Sequence, residues 1–78
     1  MTAQEAADDL LARAKTQSKR FSAAMESGDK REAVAALASF AEICGGVKYI
    51  VLENDLPSEK LDSYDRAVIH MINKLSEV

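Results

Sequence analysis

The sequence predicts an all-α fold, a three-helix bundle, and three observations carry that prediction. Apolar residues recur at three- and four-residue spacing through three segments, and capping and turn residues separate those segments. No segment alternates apolar and polar residues with period 2, as a half-buried strand would. With 78 residues the chain is expected to form one helical domain over 1–78.

Helix 1 opens at Thr2. Glu5 stands three residues on, the spacing of a capping box in which hydroxyl and carboxylate each satisfy one orphan amide. Asp8 and Asp9 come early and Lys15, Lys19 and Arg20 late, which complements the helix dipole. Ala3, Ala7, Leu10, Leu11, Ala14, Phe21, Ala24 and Met25 form its apolar stripe, interrupted by Gln17 and Ser18. Ser27-Gly28-Asp29 then reads as a stop and a restart, because glycine takes the left-handed conformation that closes a helix.

Helix 2 begins at Asp29, and Glu32 repeats the capping-box spacing. Ala33, Leu37, Phe40, Cys44, Val47 and Val51 are its core stripe, widened by Val34, Ala36, Ala41, Ile43 and Ile50. A helix this apolar around its girth is contacted from more than one side. Gly45-Gly46 admits two readings, since each glycine costs about 1 kcal/mol in a helix interior. The helix breaks there and frees Val47–Leu52 as a short element, or it continues, kinked or straight, with the glycines admitting a neighbouring backbone. A lone strand would have no partner, so a continuous or kinked helix is expected.

Pro57 ends helix 2 and suits the first turn of the next, so helix 3 is expected from Pro57 or Ser58 to the last residues. It is shorter than the other two. Leu61, Tyr64, Val68, Met71, Ile72 and Leu75 form its stripe, with Ser63, Arg66, His70, Asn73 and Glu77 outside.

Composition narrows the function classes. A net charge of −3 without a basic run disfavours affinity for a nucleic-acid backbone, and an aromatic content of 5 % leaves few stacking platforms. Tyr49–Leu52, like every other uninterrupted apolar run, is far short of the roughly 20 residues of a membrane span. The acidic opening residues lack the pattern of a secretory signal, so a cytoplasmic location is expected. Nucleic acid and membrane are not expected partners. A single cysteine cannot form an internal bridge, and a core this small supplies roughly 3–5 kcal/mol, so self-association is the expected reinforcement.

Glu32-Ala33-Val34 is echoed 34 residues later by Arg66-Ala67-Val68, and Gly28-Asp29 precedes the first copy. This spacing resembles the tetratricopeptide repeat, which implies helical hairpins stacked at that period. The large residues of that repeat's first helix are missing, and position 62 is Asp where the pattern has Gly.

No residue is assigned a catalytic, cofactor-binding or metal-binding role. His70 has no nucleophile or orienting acid at a useful spacing, and Cys44 sits within an apolar stripe. The acidic joint of Glu53, Asp55, Glu59, Asp62 and Asp65 lacks the alternation of a calcium loop. Gly45-Gly46 is not a phosphate loop. Two surfaces remain as candidates. Ala35, Ala38, Ser39, Glu42, Gly45, Gly46 and Tyr49 form a face of helix 2 outside the core stripe, able to admit a second helix closely. Arg13, Lys15, Lys19 and Arg20 form a basic edge on helix 1, able to steer an acidic partner.

The reading that follows is a non-enzymatic protein-binding module, an adaptor, inhibitor or regulatory subunit of the kind bacteria and their phages encode, and a homodimer. The attribution to bacteria and their phages rests on size and class alone, whereas the homodimer follows from the apolar girth of helix 2 and the limited core of 78 residues. Its rivals are a helix-turn-helix DNA-binding regulator, for which neither helix 2 nor helix 3 is a basic recognition helix, and a minimal tetratricopeptide-like hairpin.

Overall fold

A computed structural model describes all 78 residues. Three helices, α1 (Ala3–Ser27), α2 (Lys30–Glu53) and α3 (Leu61–Ser76), run antiparallel in sequence and form the bundle, with no strand. The molecule measures 40 × 21 × 13 Å. Its Cα radius of gyration, 13.2 Å, exceeds the roughly 11.5 Å of a compact chain of this length.

The start of α1 follows from its capping box: the Glu5 amide donates to the Thr2 hydroxyl at 3.1 Å, and the Thr2 amide donates to the Glu5 carboxylate at 3.1 Å. At its other end Gly28 takes φ +77°, and the Asp29 amide donates to the Ala24 carbonyl at 2.9 Å. This is the Schellman closure, which reverses the chain within two residues. Asp29 then caps α2 by accepting from the Glu32 amide at 3.1 Å. The second half of the expected capping box is not formed. Instead of reaching back to Asp29, the Glu32 carboxylate accepts two bonds from the Arg20 guanidinium, which also donates to Gln17 at 3.0 Å. That fork clamps α1 to α2 beside their turn.

Helix α2 runs unbroken through Gly45-Gly46. A Cβ on Gly46 would meet the Leu10 side chain at 3.3 Å, so this glycine admits α1. The α1–α2 contact is built from small residues: Ala7, Ala14 and Ala24 from α1 meet the side of α2 that carries the fully buried Ala33 and Ala36. Short side chains let helix axes approach closely. Phe21, Phe40, Cys44 and Met71 fill the space where the three helices meet. Ala36, a flanking position by periodicity, is as deeply buried as Ala33, whereas Leu37 and Leu10 are only half-buried.

Helix α3 starts later than expected. Asp55, at φ +52°, closes α2 with the Leu56 amide donating to the Val51 carbonyl at 3.0 Å, and a turn closed by the Leu61 amide on the Ser58 carbonyl at 3.2 Å leads into α3. Half-buried Leu56 and the turn are spent covering the open end of the α1–α2 pair. Helix α3 packs chiefly on α2 and touches α1 little. Lys48 ties it to α2 through Asp65 at 3.0 Å. Of its expected stripe, Met71 is buried and Leu61, Tyr64, Val68 and Leu75 are half-buried; Ile72 points outward and is 47 % exposed.

The echo at 34 residues is not a structural repeat. Ala33 is fully buried in the first turn of α2, and Ala67 is half-buried in the second turn of α3. The first two helices alone occupy 25 and 24 residues, longer together than one repeat unit.

Phe21→Ala is expected to cost about 3–5 kcal/mol, the range for removing a buried phenyl ring. Since this approaches the whole net stability of so small a core, the variant should lose its cooperative urea transition by circular dichroism at 25 °C. A second expectation concerns acid. Arg20 holds the Glu32 carboxyl below its ordinary value, and the Thr2 amide and hydroxyl do the same for Glu5. A carboxyl depressed on folding contributes stability above its unfolded pKa and loses it as pH falls through the folded value. Stability should therefore decline below about pH 4.5, and Glu32→Gln should show a shallower decline in urea midpoint from pH 7 to pH 3.

Candidate protein-binding face

The outward side of α2 is what the packing of its two neighbours leaves bare. Helix α1 covers the side marked by Gly46, Ser39 and Ile43, and α3 covers the side marked by Lys48 and Cys44. Between them, at about 100° per residue, lies a strip running from Arg31 through Ala38 to Tyr49. Of the seven residues read as a face from the sequence, Ala35, Ala38, Glu42, Gly45 and Tyr49 are exposed there. The other two are not on the open strip. Gly46 is turned to Leu10, and half-buried Ser39 lines a groove with Arg13, Thr16, Gln17 and Glu42 along α1.

Gly45 differs from its neighbour. A Cβ there meets nothing within 4 Å. Its place in a helix interior costs about 1 kcal/mol relative to alanine, and no contact within the chain requires it. It borders a groove of about 470 Å³ between α2 and α3, floored by Ala41, Cys44 and Val68, with Ile69 on its rim.

The large apolar side chains left in solvent are unevenly distributed. Apart from Met1 and Val78, they are Val34 at 49 %, Tyr49 at 67 % and Leu52 at 61 % on α2, with Ile69 at 56 % and Ile72 on α3; α1 has none. Sequence periodicity missed the α3 contribution, because Ile72 sits at a stripe position and its exposure depends on where α2 lies.

The basic edge does not form as one surface. Arg13 and Lys15, two residues apart, point to different sides: Arg13 pairs with Asp9 at 3.2 Å beside Glu42, while Lys15 lines a groove with Tyr64 and Lys60. Arg20 is taken up by Glu32. Of these four cations, Lys15 and Lys19 are exposed and left without an ion pair.

The remaining chemistry-bearing residues lie apart from one another. Burial pushes the Cys44 thiol pKa up, and the negative charge of Asp65 adds to that shift. His70 is exposed on the outer side of α3. The largest cleft, about 500 Å³, lies where the 54–60 connection crosses the bundle end; Val47, Val51 and Leu61 floor it, and no cysteine, serine or histidine lines it. Helix α2 is long and apolar enough to cross a membrane, with a mean hydropathy of 1.5 over an 18-residue window, a property not visible in its interrupted apolar runs. Its most apolar side, Ala33, Ala36, Phe40, Cys44, Val47 and Val51, is buried against α1 and α3.

The glycine pair gives a direct contrast. Gly45→Ala should raise stability by about 0.5–1 kcal/mol through helix propensity alone. Gly46→Leu should lower it by about 1–3 kcal/mol, because the added side chain must displace Leu10 in a packed contact. Urea denaturation of the two variants beside the parent measures both. Comparison with known protein families, curated proteins and solved structures gives no match to this chain.

Proposed function

We propose that the protein is a small non-enzymatic protein-binding module whose outward α2 strip, with the adjoining edge of α3, receives a helix of another protein chain, a second copy of itself included. The observation that carries this reading is the gathering of Val34, Tyr49, Leu52, Ile69 and Ile72 on α2 and α3 while the outer side of α1 stays polar. Apolar side chains scattered singly need no explanation, but a one-sided set beside small residues fits a contact surface.

The size of the surface supports the same reading. The chain exposes 5326 Å², about 700 Å² more than the roughly 4,650 Å² expected of a compact monomer of its mass. A standard interface removes about 800 Å² from each partner, so the excess is of the size one contact would cover.

Light scattering coupled to size exclusion, over a range from micromolar to millimolar protein, tests the reading. The expected mass is twice the 8.5 kDa of the chain at the upper end. Ala38→Arg, an exposed position at the centre of the strip, should return it to the monomer with unchanged helical circular dichroism. A dimer indifferent to Ala38→Arg would remove the strip as the contact, and a monomer throughout would exclude a second copy as its occupant.

A further inference from the structure

We infer that the occupant of the strip is α2 of a second copy, laid antiparallel across a twofold axis at Glu42; the inference rests on the protein-binding reading above and adds partner, orientation and register to it. Arg31, Ala35, Ala38, Glu42, Gly45 and Tyr49 follow one another at alternating intervals of four and three residues, the spacing of a seam between two helices. All six are exposed.

Orientation follows from charge. The exposed end residues of α2 are placed against its own dipole: Arg31 stands in the first turn, where the helix is electropositive, and Glu53 in the last, where it is electronegative. No cation occupies the last turn of α2. A parallel second copy would put Arg31 beside Arg31 and Glu53 beside Glu53. An antiparallel copy puts Glu53 at the foreign N-terminus and Arg31 at the foreign C-terminus, so that each charge meets both an opposite charge and the opposite dipole end.

Register follows from side-chain size. Glu42 lies midway between Arg31 and Glu53, eleven residues from each. With the axis there, Tyr49 of one copy stands over Ala35 of the other, seven residues either side of the centre, and large meets small at both ends of the seam. Ala38 falls beside Gly45 of the second copy. That gives Gly45, which no contact within the chain requires, a reason to lack a side chain: two backbones pass closest there. The one unfavourable element is the meeting of two Glu42 carboxylates at the axis. It weakens the dimer and makes the contact adjustable by charge.

The test is a charge exchange read by dissociation constant, with light scattering or sedimentation as the measurement. Arg31→Glu and Glu53→Arg, each alone, should weaken dimerisation by about three- to tenfold, since each turns two symmetry-related attractions into repulsions. The double variant should recover the parental constant to within about twofold. Glu42→Gln should tighten the dimer by about threefold or more by removing the like-charge contact. A spin label at Glu53→Cys gives an independent reading, with buried Cys44 left in place. Two labels 22 residues apart along the axis lie roughly 33 Å from each other, against about 10 Å in a parallel pair. A monomer at every concentration would overturn this inference and leave the strip to a helix of a different protein. A dimer with the short label distance, or one in which the double variant is no better than the singles, would overturn the antiparallel register alone.

Discussion

Everything in this molecule depends on the reversal at Gly28-Asp29. Two helices of 25 and 24 residues joined by two residues can only fold back along each other, and the left-handed Gly28 with the Asp29 cap sets where each one ends and begins. Once the pair is antiparallel, position along the chain fixes what meets what: Arg20 reaches Glu32 near the turn, and Leu10 meets Gly46 far from it. The contact between them is made of alanine and glycine, which brings the backbones close but buries little area per residue. The two phenylalanines carry much of the remaining apolar burial.

A thin core has a consequence at the surface. Helix α3 is 16 residues long and lies along α2 more than in the groove between α1 and α2, so the bundle closes on one side only. Eleven residues in all are buried, and α2 contributes six of them while still presenting Val34, Tyr49 and Leu52 to solvent. The apolar girth of α2 therefore exceeds what two neighbours of this size can cover. A third neighbour, supplied by another chain, is the simplest complement to that geometry, and the same excess explains why α2 alone has the composition of a membrane helix.

Charge divides into two kinds of use. Arg20–Glu32 and Lys48–Asp65 each tie one flanking helix to α2, bridging elements distant in sequence. Both pairs are partly exposed, so their contribution is more to register and orientation than to stability. Arg31, Glu42 and Glu53 make no ion pair within the chain and lie along the outward strip, where Arg31 and Glu53 oppose the dipole at its two ends. Charges that cost a helix a little on its own are informative about what the helix meets.

The sequence by itself determined the number and order of the helices, the glycine stop after α1, the Thr2 capping box and most of the core stripe. Those features depend on local chemistry: hydroxyl and carboxylate spacing, a glycine at positive φ, and apolar periodicity. Only the tertiary structure decided the rest. It turned Gly46 inward to Leu10 and left Gly45 outside, took Glu32 from its own cap to Arg20, split the four cations of α1 between two sides, and put Ile72 in solvent. The reason is that periodicity names the apolar arc of a helix but not which part of that arc each neighbour covers. That depends on the azimuth at which α1 and α3 dock, which is set by side chains distant in sequence.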